Sequence, residues 1–289
     1  MDYIKRDIEK IILETSQSYS AILVTGPRQV GKTTTLRHLI DDSRNYVTLD
    51  DLEARRMAQS DPELFLSIHK APILIDEVQY APQLFSYIKI AVDNGAAPGS
   101  FWMTGSQAFR LMELAQESLA GRVAILHMSS LSQHEIYGSG EHKPLEIDIA
   151  KLQERASTGT KTDVNGIYER IWKGSLPGSI SGKYPNRDTF YSSYLQSYVQ
   201  RDIGDMVDRI DTLLFADFVR AAACRAGQML IPMTLLWMLG LLMIPPGVGY
   251  GLWSSRGLSF ICVRILTTCS NGLLKHPRCT FLTLGLWRI

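Results

Sequence analysis

Residues Ala21–Leu36 read AILVTGPRQVGKTTTL, and this stretch constrains the rest of the chain more than any other. A short apolar run ends in a glycine-bounded loop that passes into a helix-compatible segment. Gly26–Thr33, GPRQVGKT, fits G-x-x-x-x-G-K-[ST], the phosphate-binding loop. The spacing has a physical reason. Gly26 and Gly31 allow backbone angles closed to other residues, so successive N–H groups can turn inward around an anion. The helix starting near Lys32 adds its positive end. Lys32 then reaches the β- and γ-phosphates of a nucleotide, and the Thr33 hydroxyl can ligate Mg²⁺. The candidate nucleotide-binding residues are Gly26, Pro27, Arg28, Gln29, Val30, Gly31, Lys32, Thr33 and Thr34. A chance glycine-rich turn is the rival reading. The strand before the loop and the helix after it argue against that.

A second motif follows at Pro72–Glu77, PILIDE. An apolar strand ending in Asp-Glu has the Walker B pattern, with its carboxylate facing the phosphate loop of a neighbouring strand. Asp76 would hold Mg²⁺ with Thr33, and Glu77 would polarise the attacking water. A third element is Ser100–Thr104, SFWMT, followed by Gly105-Ser106-Gln107. Ser106 or Gln107 would stand beside the γ-phosphate there. Ser106 also suits a helix N-cap, and the two roles are compatible.

Tyr46–Leu49 and Val123–His127 complete a set of five short strands that alternate with helices. That alternation predicts an α/β fold, a doubly wound parallel sheet of the P-loop NTPase kind. Ligands in such sheets bind at the carboxyl ends of the strands. Lys32, Asp76 and Ser106 all fall at such ends. Helices are expected over Asp2–Thr15, from Lys32 to about Ile40, over Gln83–Val92 and over Phe109–Ala120. Asp50-Asp51 caps the next helix or makes a polar contact near the nucleotide, and Asp61-Pro62 opens another helix.

Charged residues make up 20% of the chain and the net charge is +1, so global charge points neither to nucleic acid nor to a membrane. Met1–Ile11 lacks a continuous apolar run and predicts no signal peptide. Cys224, Cys262, Cys269 and Cys279 show neither zinc spacing nor a disulfide framework. A cytoplasmic protein is expected.

Domain organisation reads as a nucleotide domain over 1–137, a linker over 138–165 with room for one short helix, and a helical region over 166–229. Helices are expected at Ile167–Trp172, Thr189–Val207 and Asp211–Ala226. GPRQVGKT, YVTLDD, PILIDEVQ, FWMTGSQ, SLAGR, WKGSLPG and YVQRDI together resemble a group of prokaryotic AAA-family ATPases within the AAA+ superfamily. The resemblance covers roughly residues 1–229. It implies ATP and Mg²⁺ binding with slow hydrolysis, and a C-terminal domain of unknown function that usually contains a winged helix. It also implies that Ser106 or Gln107 is the residue called sensor 1. Arg122 or Arg201 would be an arginine finger acting on a neighbouring subunit of a homo-oligomer. The alternative for either arginine is a surface position or an ion pair with Asp202.

Residues 230–289 break this pattern. They contain no Asp or Glu, although the whole chain has 29. Met229–Trp253 is nearly all apolar, but Pro232 and Pro245 bound a run of only twelve residues. About 20 are needed to span a bilayer. The genetic code offers another reading. If the last base of each codon is read with the first two of the next, Met233-Thr234, Trp237-Met238 and Met243-Ile244 must each yield Asp. Cys279-Thr280 must yield Tyr or His. Permitted choices elsewhere restore a text with helix-turn-helix spacing, no forced stop and a likeness to the family's C-terminus. The expectation is a frameshifted tail with no native fold. DNA would then be a partner of an intact-frame relative and not of this chain.

Three functions follow as expectations: an ATP hydrolase using Glu77; a nucleotide-gated switch or DNA-binding regulator that has lost its winged helix; and, weakest, a membrane-anchored ATPase. The sequence names no substrate and no biological role.

Overall fold

The computed structural model describes residues 3–106, 121–138, 146–158 and 161–198. The chain divides into two compact units, 1–160 and 161–289. The expected helices Phe109–Ala120 and Asp211–Ala226, together with Gln107, Arg201 and the tail, lie outside the described residues. Among the described residues no helix is long and apolar enough to cross a membrane.

The first unit is built on five parallel strands: β1 (Ala21–Thr25), β2 (Asn45–Thr48), β3 (Ile73–Asp76), β4 (Phe101–Gly105) and β5 (Val123–His127), in the order β2-β3-β4-β1-β5. Every residue of β1, β3 and β4 is buried, as continuous apolar runs in a sheet covered on both faces require. Alternate residues divide between the faces. Leu23, Ile73, Ile75, Phe101 and Met103 pack with Ala58 of α3 (Leu52–Ser60) and Phe65 of α4 (Pro62–Ile68). Leu84, Phe85 and Ile88 of α5 (Leu84–Asp93) join the same cluster. On the other face, Trp102 donates its indole N–H to the Ser16 hydroxyl at 2.9 Å, which ties α1 (Ile8–Ser16) to the sheet. The Arg44 guanidinium covers the same indole at 4.2 Å.

Two details depart from the sequence reading. The strand carrying Asp76 is not the neighbour of the strand carrying the phosphate loop, because β4 is inserted between them. Residue patterns specify parallel strands but not their lateral order, which depends on the path of the crossovers. In α1, Ile12 is fully buried as expected, but Ile11 and Leu13 are exposed while Arg6, just ahead of the helix, and Glu9 are buried. Hydrogen bonding, not apolar periodicity, decides what the N-terminal segment buries there.

Capping follows the sequence closely. The Asp51 carboxylate accepts from the amides of Glu53 and Ala54 at 3.0 and 2.8 Å, so it caps α3. Asp61 accepts from Leu64 N at 3.0 Å, and Pro62 begins α4. Asp50 instead lies 3.7 Å from Arg55. After β5, Ser132 and Glu135 form a reciprocal capping box on α6 (Gln133–Tyr137). The expected linker holds α7 (Ile149–Thr158), which lies in the first unit.

The second unit, as far as it is described, contains α8 (Val164–Lys173), α9 (Pro177–Ile180) and α10 (Arg187–Tyr198). The WKGSLPG segment links α8 to α9 and is held down from α10. Tyr191, fully buried, donates its hydroxyl to Lys173 O at 2.9 Å. Arg187 donates to Trp172 O and lies 4.7 Å from the Trp172 ring and 4.9 Å from the Tyr191 ring. Gly174, at φ 74°, ends α8 in a conformation that favours glycine.

Candidate nucleotide site

The phosphate loop turns directly out of β1. Gly26 sits at φ 148° with its Cα so close to the chain after β5 that an added Cβ would meet Met128 O at 2.1 Å. No other residue fits. Gln29 and Gly31 are also left-handed, at φ 59° and 97°, and Gly31 forms the N-cap of α2 (Lys32–Leu39). Runs of such angles turn backbone amides to one side, and helix α2 adds its positive end there. Val30 is fully buried beneath the loop, Arg28 is half-buried, and Pro27, Gln29 and Thr34 face solvent.

Lys32 is buried, and its ammonium lies within the loop, donating to Gly26 O at 2.9 Å and Pro27 O at 2.7 Å. The charge is therefore held where the loop curls. Thr33 donates its hydroxyl to Asp76 Oδ1 at 2.9 Å. That bond joins the first turn of α2 to the tip of β3 across the inserted β4. Tyr46 of β2 donates to the other oxygen, Oδ2, at 3.3 Å. Burial pushes the Asp76 carboxyl up. The Thr33 and Tyr46 hydrogen bonds oppose this, while the negative charges of Glu77 and Asp50 add to it.

Glu77 stands next in the chain in a left-handed conformation, φ 55° and ψ 43°. For a residue with a side chain this costs about 1 kcal/mol. Its carboxylate accepts from Gln79 Nε2 and, at 3.5 Å, from Ser106 Oγ. Lys32, Thr33, Asp76, Glu77 and Ser106 are thus brought together along the carboxyl edge of β1, β3 and β4. Arg122 is not. It precedes Val123, which pairs with Ala21 at the opposite end of the strands, and it is ion-paired with Asp93. The five-residue length of β5 separates it from the loop, about 16 Å at the usual rise per residue.

Three neighbours of the site were not singled out in the sequence. In the sequence Tyr46 is only part of a strand, and its reach to Asp76 depends on β2 lying beside β3. Gln79 stands in the quoted DEVQ, but its burial beneath Glu77 comes from the 3-10 turn Val78–Tyr80. His127 ends β5 opposite Thr25, with its imidazole held below the ordinary value by burial and then by the charge of Lys32.

The residues fit a magnesium nucleotide. Thr33 and Asp76 offer two hard oxygen ligands in contact, the kind Mg²⁺ takes alongside phosphate oxygens. Asp76 and Glu77 are adjacent carboxylates, and Asp76 is penalised by burial, which a cation would relieve.

Loops of this construction on a parallel sheet define one class, the P-loop nucleotide-binding domains. Within that class, residues 18–137 match the family model for an AAA domain, and residues 165–241 match a domain of unknown function, DUF8612. The nucleotide site described above thus lies in a segment similar to an AAA domain. Over 212 residues it is 31% identical to uncharacterised proteins of Mycobacterium bovis and Mycobacterium tuberculosis. The match covers 71% of this chain but only 41% of the length of either relative. Among solved structures, the Walker-type ATPase of Pyrococcus abyssi aligns with a TM-score of 0.56 at 14% identity, over 98% of this chain and 96% of that one. That likeness places the chain in the same fold. A DnaA of Aquifex aeolicus, solved with AMPPCP bound, aligns with a TM-score of only 0.39 at 11% identity, over 91% of this chain and 86% of that one. That is too low to bear on function.

Proposed function

We propose that this chain is a Mg²⁺-dependent ATPase in which Glu77 activates water. The observation that carries the reading is the contact between Thr33 and Asp76, flanked by Lys32 on one side and Glu77 on the other. The loop amides and Lys32 bind and orient the β- and γ-phosphates. Mg²⁺, when bound through Thr33 and Asp76, supplies charge neutralisation at the phosphate oxygens. Glu77, aimed by Gln79 and Ser106, takes the proton of the attacking water at a carboxylate oxygen. Ser106 reports on that carboxylate from the tip of β4. Arg122, remote from the loop of its own chain, is a candidate arginine finger only towards a neighbouring copy in a homo-oligomer.

ATP titrations with and without Mg²⁺ test this. Wild type is expected to bind ATP more tightly with Mg²⁺ and to release phosphate. Asp76→Asn is expected to lose the Mg²⁺ enhancement while keeping metal-free ATP binding. An Asp76→Asn protein with undiminished Mg²⁺ dependence would place the metal elsewhere.

We propose further that residues 230–289 are out of frame. Supporting this are the absence of acids there and the Asp codons forced in the shifted frame. Residues not selected to pack on 1–229 should add little stability and expose apolar area. Truncation after Gly227 is expected to raise solubility and leave ATP binding unchanged, and DNA binding is expected only of the frame-restored protein. Limited proteolysis of both proteins checks it: a tail as protected as the nucleotide domain would defeat the reading.

A further inference from the structure

Arg6 is an unusual residue to bury. Its side chain is 5% exposed and its main ion-pair partner, Glu135, is 6% exposed. Residues of this type are almost never fully buried unless paired. Arg6 is paired through each of its three side-chain nitrogens. Nε donates to Glu135 Oε1 at 2.9 Å, one terminal nitrogen to Val30 O at 2.7 Å, and the other to Ser129 O at 2.7 Å. The partners come from separate places: Val30 from the phosphate loop, Ser129 from the chain after β5, and Glu135 from α6. Glu135 is in turn fastened by the amides of Asp7 at 2.9 Å and Ser132 at 2.7 Å. Burial pushes its carboxyl up, but these amides and Arg6 together bring it below the ordinary value.

From this geometry we infer that Arg6 is a positioning residue for the phosphate loop. Val30 C=O and Gly31 N–H belong to one planar trans peptide unit, so they point in opposite directions. A guanidinium that fixes the Val30 carbonyl therefore aims the Gly31 N–H away from itself, on the side where the loop's amides gather to hold an anion. The second contact works on the other flank. Ser129 follows Met128, whose carbonyl lies against Gly26. One planar fork thus holds the loop near both ends, at Val30 directly and at Gly26 through Met128. A lysine cannot do this, since its single ammonium lacks the paired geometry needed to reach two carbonyls and a carboxylate at fixed angles. The N-terminal segment is by this inference part of the nucleotide site through the loop that it holds.

The role in nucleotide affinity rests on the ATP-binding reading of the same loop; the hold on the loop itself does not. The test measures hydrogen exchange of the Gly26–Thr33 amides, the ATP dissociation constant by calorimetry and the thermal midpoint, all on the full chain. Arg6→Lys keeps the charge pair with Glu135 and gives up the fork. It is expected to speed loop exchange and weaken ATP binding, each by at least about 10-fold, the scale of a lost hydrogen bond from a charged donor, and to lower the midpoint as well. Glu135→Gln leaves the two carbonyl contacts in place. It is expected to lower the midpoint while loop exchange and affinity stay within about 2-fold of wild type. Should Arg6→Lys fail to fold, Arg6→Ala is measured with added guanidinium ion, which is expected to restore loop protection by refilling the cavity. Loop exchange at the wild-type rate in Arg6→Lys, or no guanidinium rescue in Arg6→Ala, would overturn the proposal. So would affinity and midpoint falling together in both Arg6→Lys and Glu135→Gln, the pattern of a purely structural pair. Absence of ATP binding by wild type would instead sink the nucleotide reading, and loop exchange would still decide the role of Arg6.

Discussion

Lys32→Ala is expected to weaken ATP binding by about 10²–10⁴-fold in calorimetry. The figure comes from two charge-assisted contacts, to the β- and γ-phosphates, worth about 1.5–3 kcal/mol each, with 1.4 kcal/mol per tenfold. Two features of the structure make a large effect reasonable. Lys32 is buried, so its charge is poorly screened by solvent. Its ammonium also satisfies the carbonyls of Gly26 and Pro27, so its removal leaves the loop without an internal tie as well as without its cation. Arg28 shares the loop but is half-buried on a different residue of the turn and is not expected to substitute. Equal affinities for wild type and Lys32→Ala would sink the assignment of the Gly26–Thr33 loop.

The second large effect is on chemistry rather than binding. Glu77→Gln is expected to retain ATP and to slow its hydrolysis by about 10²–10⁴-fold, the usual contribution of a general base. The substitution preserves size and the left-handed backbone, so the contacts with Gln79 and Ser106 test geometry separately. Gln at 77 can still accept from Ser106 but cannot take a proton from water. Ser106→Ala is expected to show a smaller loss, because it removes only one of the two groups that aim the carboxylate. Single-turnover phosphate release with saturating ATP separates these outcomes from any change in affinity. Turnover of Glu77→Gln at the wild-type rate would mean that another group activates the water.

Much of the site was legible because its chemistry depends on local spacing. The loop has positive φ at Gly26, Gln29 and Gly31, and the two widest of these angles fall on the glycines that the motif places in the primary sequence. Asp76 and Glu77 terminate a strand whose apolar run is readable, and Ser106 follows the next. The caps at Asp51 and Asp61 were legible for the same reason: a side chain bonding to amides two or three residues ahead is a local event. Where long-range contact decides, the pattern was silent. Arg6 looks like one more charged residue near an amphipathic helix, and only the fold carries Val30, Ser129 and Glu135 to it.

The sequence by itself thus determined the class of fold, the glycine-bounded loop after β1 and the carboxylates at the tip of β3, since each follows from backbone angles and the periodicity of a few adjacent residues. The tertiary structure decided the rest. It inserted β4 between the strands of Lys32 and Asp76, and it brought Tyr46 to Asp76 and Gln79 to Glu77. It carried Arg122 to the far end of the sheet and buried Arg6 against the loop. These depend on how parallel strands are ordered and which polar groups must find partners once water is excluded, and both are settled only when distant segments pack together.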